Sequence, residues 1–307
     1  MRLIVLGAAA GGGFPQWNCN CETCRRAWAG AAPAQTQASL AVSADGERWV
    51  LLNASPDLRA QVLATPALQP RRLGRDSPIA GVVLTNGDID AVAGLLTLRE
   101  SWPLAVYATP RVLAVLAANS IFNVLAAEPV ARRPLALGAP TALAARDGRP
   151  LGLGIEAFSV PGKVALYLEE AGIERQLARR SEDTIGLRIS EPATGKGFYY
   201  IPGCAALDDE LAARLRGAPL LFFDGTLWRD DEMIRAGLGA KTGQRMGHLS
   251  VSGAGGSMEA LAPLGIGRKL FIHINNTNPI LCLGSAERAA VEAAGWQVAH
   301  DGLEIEL

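Results

Sequence analysis

At 307 residues and 32.2 kDa, with 49% hydrophobic against 19% charged residues, the chain is long enough for one large core. Lys+Arg 29 against Asp+Glu 30 leaves a net charge of -1, which argues against a nucleic-acid partner. No run approaches the roughly 20 apolar residues of a membrane span, and no low-complexity or heptad pattern points to disorder, collagen or coiled coil. Residues 2–6 read as a buried strand rather than a secretion signal: the basic region is a single Arg, and Gly7 breaks the apolar run. A glycine-rich loop, 7–13, follows. Apolar runs at 39–42 and 49–52 around Ala44-Asp45-Gly46 predict a hairpin, and Ser55-Pro56 predicts a helix over 56–65. Residues 79–85 predict a strand and 91–100 a helix. A strand over 104–108 and a helix from Thr109-Pro110 to 119 follow. Further strands are expected at 198–201, 220–223 and 270–274, with a helix over 285–295. The Pro- and Arg-rich stretch 129–150 is a candidate boundary, but a single domain over 1–307 is expected. Short apolar strands alternating with helices predict a layered α/β fold with mixed sheets and helices outside.

Five cysteines, three of them within six residues, do not form a disulfide framework and are expected to be reduced thiols of a cytoplasmic protein. In Cys19-Asn-Cys21-Glu-Thr-Cys24 three thiolates can converge on one zinc ion at about 2.3 Å each; the bland alternative is a loop of unpaired surface thiols. A closed, structural site at about 18–25 is predicted. Its fourth ligand must come from His248, His273, His300, Cys204, Cys282 or a side-chain oxygen such as that of Asn276. In Thr85-Asn86-Gly87-Asp88-Ile89-Asp90-Ala91, alternating oxygen-bearing residues suit a hard divalent cation, although Asp90 also stands where a helix N-cap would. Asp224, at the end of an apolar strand, and His273 with three asparagines, beyond another, add polar groups at strand ends, where α/β folds gather ligand sites. His300, before Asp301-Gly302, reads as a turn residue. His248 lies near Lys241 and Arg245, two cations suited to gripping carboxylates.

The cysteine loop, NASPDLR (53–59), LTNGDID (84–90), GLLTLRE (94–100), PGKVALY (161–167), YIPGC (200–204), FFDGT (222–226), MGHLSVSG (246–253) and HINNTNPI (273–280) run in order along the whole chain. Together they resemble the PQQ synthesis protein B family, a branch of the metallo-β-lactamase superfamily. The resemblance implies an αββα sandwich of two mixed sheets and a role in making the redox cofactor pyrroloquinoline quinone. The superfamily motif His-x-His-x-Asp-His reads here as Asn86, Asp88, Asp90 and Ala91, so its histidines are absent and its Asp is kept. Asp224 matches the superfamily's bridging carboxylate, His273 its final histidine, and Lys163 falls where another metal histidine is often found. A related phosphodiesterase branch implies Asn276 as the fourth zinc ligand beside Cys19, Cys21 and Cys24, with His273 as the substitute. The implied activity is oxidation of the tyrosine ring of a Glu–Tyr-derived precursor by non-haem iron(II) or another divalent metal. His273, Asp224 and Asp90 would hold the metal with Asp88 in reserve, His248 would serve as acid/base, and Lys241 and Arg245 would hold substrate carboxylates. The alternative is a carrier of PQQ or its precursor on the way to the periplasm. The sequence leaves a homodimer open.

Overall fold

The structure is a computed structural model, describing residues 1–163 and 180–307; residues 164–167 of the PGKVALY motif lie outside the described residues. The first sheet has the order β14 (Glu304–Glu306), β1 (Arg2–Gly7), β2 (Ser39–Ser43), β3 (Trp49–Leu52), β4 (Ile79–Val83), β5 (Leu104–Ala108) and β6 (Val130–Pro134). The second runs β13 (Trp296–Val298), β12 (Arg268–Ile272), β11 (Leu220–Asp224), β10 (Lys196–Ile201), β9 (Arg180–Glu191), β8 (Pro150–Pro161) and β7 (Pro140–Ala144). In both sheets the pairings are antiparallel on one side and parallel on the other: β3 to β6 are parallel in the first, β10 to β13 in the second.

The apolar runs are continuous because both faces of each sheet are covered. Leu3 and Val5 of β1 meet Leu220 and Phe222 of β11 in the core between the sheets. Their neighbours Ile4 and Leu6 face helices that include Leu58, Val112 and Leu116, whereas Leu221 and Phe223 face Leu211, Leu261 and Val291 on the opposite outer side. The period of two along each strand thus sorts residues into three apolar layers, giving the αββα sandwich that the resemblance implies. Among the described residues no helix is long and apolar enough to cross a membrane.

Several elements differ from expectation. The helix over 56–65 starts only at Leu58, behind Asp57, so Pro56 lies in the turn before it. The helix over 91–100 is a four-residue α-turn, Ile89–Val92, followed by the 3-10 segment Ala93–Leu98; Asp88, not Asp90, is the N-cap. The cause is close packing at Gly94: its N–H donates to the Ala54 carbonyl at 2.8 Å, and a Cβ there would come within 2.1 Å of the Ser55 carbonyl oxygen. The stretch 129–150 carries the edge strands β6 and β7 and takes the chain from the first sheet to the second.

The glycine-rich loop is anchored by the carboxylate of Asp301, which accepts from Ala8 N–H at 3.1 Å, Thr36 N–H at 2.8 Å and the Thr36 hydroxyl at 2.7 Å. Burial, with the nearby Asp57 charge, pushes Asp301 up to about 6 in spite of these donors. Its folded pKa thus exceeds the unfolded value of about 3.9, so the folded chain binds the extra proton and stability falls as pH rises from about 4 to about 6. Asp301→Asn, which does not ionise, should gain stability relative to the parent over that interval. Urea unfolding midpoints of the two proteins between those pH values check the sign; parallel curves refute it.

Candidate metal and substrate site

The C-terminal ends of β3, β4, β10, β11 and β12 converge at one edge of the sandwich, where a cleft of about 740 Å³ opens between the sheets. Asn53, just beyond β3, adopts φ 63 and clamps the loop after β4: its amide oxygen accepts from Thr85 N–H at 2.9 Å, and its amide nitrogen donates to the Thr85 hydroxyl at 2.9 Å. The next loop turns on Asn86, whose side-chain oxygen accepts from Asp88 N–H at 3.0 Å. Asn86, Asp88 and Asp90 all line the cleft, and Asp90 reaches across it to the second sheet.

There Asp90 Oδ2 lies 2.9 Å from His273 Nε2. Burial pushes the Asp90 carboxyl up, but hydrogen bonding and charge from His273, with charge from His248, outweigh it and hold Asp90 below the usual carboxylate range. Burial pulls His273 down, and Asp90, Asp224 and Asp88 more than compensate, so its pKa is raised. The other nitrogen, Nδ1, lies 2.9 Å from the hydroxyl of Thr226. His248 stacks beside His273, ring centroids 5.2 Å apart and planes 23° from parallel, with Nδ1 2.7 Å from Asp224 Oδ2. Asp224, His248 and His273 can each offer a ligand atom within 4.8 Å of the others. The two histidines come from separate loops; His300 is exposed, with its ring nitrogen 3.0 Å from the Asp301 carbonyl, as a turn residue would be.

Lys163, Lys241 and Arg245 line the same cleft, so the cations singled out in the sequence do gather there. Their wall includes Gly247, the left-handed cap (φ 90) of the short helix Gly243–Met246. The Lys163 side chain lies across its bare face: a Cβ there would come within 2.9 Å of Lys163 Cγ. Ile89, 61% exposed, supplies an apolar lip with Met233 and Met246.

The cysteine cluster forms a second centre. Cys21 is the N-cap of the helix Glu22–Trp28, which places Cys24 in its first turn, and the sulfurs of Cys19, Cys21 and Cys24 lie within 4.8 Å of one another. Burial pushes the Cys24 thiol up to about 12, with Cys21 adding to the rise, so holding three thiolates there requires a compensating cation. Burial also acts on Cys21, but hydrogen bonds from Thr23 and the neighbouring cysteines bring it below the usual thiol value. Asn276, only 4% exposed, reaches the cluster, but with its amide nitrogen, which donates to Cys24 Sγ at 3.2 Å and Cys21 Sγ at 3.8 Å; the side-chain oxygen expected as the fourth ligand is turned away. His273, the substitute, is instead held by Asp90 and Thr226. Cys204 gives its backbone N–H to Asp224 and its thiol to the Ala206 carbonyl.

Sequence reasoning assigned no role to Thr226, although FFDGT was singled out as a motif. A hydroxyl two residues beyond a strand-end Asp was the available signal. The part of the glycine-rich loop was also missed: at Gly11 a Cβ would lie 3.5 Å from Asp90 Oδ2, so this loop forms the wall over that carboxylate.

A beta-lactamase superfamily domain model matches residues 48–274. The chain is 57% identical over 311 residues to coenzyme PQQ synthesis protein B of Rhodopseudomonas palustris strain TIE-1, covering 100% of both, and 58% identical over 305 residues to that of Gluconacetobacter diazotrophicus, covering 99% of this chain and 98% of the other. The crystal structure of Zn(2+)-bound PqqB from Methylobacterium extorquens superposes with a TM-score of 0.95 at 53% identity, with full coverage of both chains. A diphosphatase of the PhnP family shares the fold at a TM-score of 0.68 and 20% identity, covering 100% of this chain and 97% of its own.

Gly247→Ala should destabilise the chain by about 1–2 kcal/mol, since it forces a Cβ into left-handed backbone and against Lys163. Chemical denaturation measures the loss, and an unchanged midpoint contradicts this reading of the cleft wall.

Proposed function

The chain belongs to the coenzyme PQQ synthesis protein B family of the beta-lactamase superfamily, and we propose that within PQQ biosynthesis it hydroxylates the tyrosine ring of a Glu–Tyr-derived precursor at a divalent-metal site in this cleft. The observation that carries the reading is the pair Asp90 Oδ2 and His273 Nε2, 2.9 Å apart on the cleft floor. Two ligands at about 2.1 Å from one cation stand about 3 Å apart when roughly at right angles, so the spacing fits a metal. Carboxylate and imidazole suit iron(II), manganese(II) or zinc. The three cysteines fit a structural zinc site, zinc being the metal in the Methylobacterium extorquens relative, and Asn276 would complete it once its amide turns to present the oxygen.

Iron(II) held there would supply dioxygen binding and electron transfer. Hydroxylation replaces a ring C–H by C–OH; one oxygen atom enters the ring and the other leaves as water, which takes two electrons and two protons from an external reductant. Lys163, Lys241 and Arg245 hold the precursor's carboxylates at the wall, while Ile89, Met233 and Met246 pack against its aromatic ring. His248, expected from the sequence as an acid/base, stacks against His273 with its Nδ1 turned to Asp224, which places it at the metal edge of the cleft. We place the protein in the cytoplasm, where its cysteines stay out of disulfides.

A carrier of PQQ or its precursor is the second reading. Buried Ala91 favours it, because it puts a methyl group where the superfamily motif has an imidazole.

Elemental analysis after anaerobic loading with Fe²⁺ should find about one zinc and about one iron per chain. Asp90→Ala should keep the zinc but lose the iron and oxygen-dependent turnover of the precursor. Zinc alone in the parent protein, with the precursor still bound, establishes the carrier instead. Separately, Cys24→Ser should lose the zinc and lower the thermal midpoint by several degrees, because a structural metal contributes folding energy. A zinc-free variant of unchanged midpoint rules out the structural site.

A further inference from the structure

We infer that Asp224 and Thr226 form a positioning unit that fixes His248 and His273 with Nδ1 protonated and Nε2 turned to the cleft, so that the cation is held by Asp90, His273 and His248 and not by Asp224. The metal half of this statement rests on the reading above; the positioning half does not.

Hydrogen-bond accounting supports it. A carboxylate has about four lone-pair positions. In Asp224, Oδ1 accepts from Thr226 N–H at 3.0 Å and the Thr226 hydroxyl at 2.6 Å, and Oδ2 accepts from Cys204 N–H at 2.9 Å and His248 Nδ1 at 2.7 Å. All four positions are taken. The residue is fully buried and lies behind the cleft wall, whereas Thr226, His248, His273 and Asp90 line the cleft. A buried carboxylate whose lone pairs are already satisfied has nothing left to give a metal without breaking one of these bonds.

The same accounting fixes the rings. An ionised carboxylate gives no hydrogen, so the 2.7 Å contact requires the proton on His248 Nδ1. Thr226 has one hydroxyl hydrogen. Its Oγ1 lies 2.6 Å from Asp224 Oδ1 and 2.9 Å from the His273 carbonyl. Were the hydrogen given to the carbonyl, two oxygens would face each other at 2.6 Å with nothing between them, so it goes to Asp224. Thr226 can then only accept, from His273 Nδ1 at 2.9 Å and, more weakly, from His248 Nδ1 at 3.0 Å. Both rings therefore direct Nδ1–H at this one unit, and being stacked, both direct Nε2 the other way. That is how outer hydrogen bonds select the ligating nitrogen of a histidine. By the same accounting the ionised Asp90, 2.9 Å from His273 Nε2, keeps a second proton there in the metal-free protein, which a bound cation replaces.

Thr226→Val keeps the shape and removes the hydroxyl; Thr226→Ser restores it. In metal-free parent protein, imidazole ¹⁵N spectra should show both Nδ1 atoms protonated. In Thr226→Val, His273 should lose that preference, and Mn²⁺ affinity, read by electron paramagnetic resonance, should fall on the order of ten- to a hundred-fold. Thr226→Ser should recover both. Bare Nδ1 atoms in the parent, or unchanged spectra in Thr226→Val, overturn the positioning role. His248→Gln should weaken Mn²⁺ binding at least as much as Asp224→Asn. A folded Asp224→Asn that loses Mn²⁺ while His248→Gln retains it makes Asp224 a ligand and refutes the assignment. If the parent binds no Mn²⁺, the metal reading and the ligand assignment fall together, and the spectra still decide the positioning role.

Discussion

The organisation of this protein depends on one short loop after β12 that serves two centres at once. His273 takes a left-handed backbone, φ 59, which turns its ring to Asp90 and Thr226. Three residues later Asn276 reaches the cysteines, and its backbone oxygen accepts from the Thr23 hydroxyl. Such a backbone conformation is costly for a residue with a Cβ and persists only where surrounding bonds enforce it. Here they do: Ile274 exchanges backbone hydrogen bonds with Ala8 and Ala10, Asn275 N–H donates to the Thr226 carbonyl at 3.0 Å, and Asn278 donates to the Gly225 carbonyl at 2.9 Å. The cysteine cluster holds the far end of this loop. Its structural role therefore extends to the cleft, because anything that loosens Asn276 loosens the strained residue three positions away.

The sandwich explains why polar groups can be so concentrated there. Along the strands both faces are apolar, leaving almost no position for a functional side chain. The loops that follow the parallel strands are the first residues free of that demand, and in both sheets those strands end at the same edge. Asn53, the Asn86 turn, Asp224 and His273 each stand at or just beyond the buried C-terminal end of a strand. The core fixes where the loops begin, and hydrogen bonds among the loops fix how they end.

The same physics decides what was legible in the sequence. Strands buried on both faces, β1, β4, β11 and β12, stand out as unbroken apolar runs, and the residues just beyond them proved to share one cleft. The long strands β8 and β9 were missed. β8 reads Pro-Leu-Gly-Leu-Gly, with glycines weakening the strand signal, and β9 is interrupted by Glu182, Asp183 and Arg188, which break the apolar run. The helix expected over 91–100 has the right periodicity, but its shape is set by contact with the loop after β3, which local pattern does not contain. Of the partners of Thr226 only Asp224 is near in sequence; the two histidines lie 22 and 47 residues away, and only folding brings them to its hydroxyl.

Charge sharpens this argument. The chain as a whole is nearly neutral, yet Asp88, Asp90 and Asp224 gather within influence of two imidazoles at one strand edge. A cluster of buried carboxylates is unfavourable unless something positive shares the space. Asp224 is satisfied by donors from its own loops, so its charge is spread over two backbone amides, a hydroxyl and a ring N–H. Asp88 and Asp90 line the open side, where Asp90 lies 2.9 Å from His273 and the cations Lys163, Lys241 and Arg245 border the same cleft. The site is thus divided by charge, with carboxylates on its floor and cations along one wall.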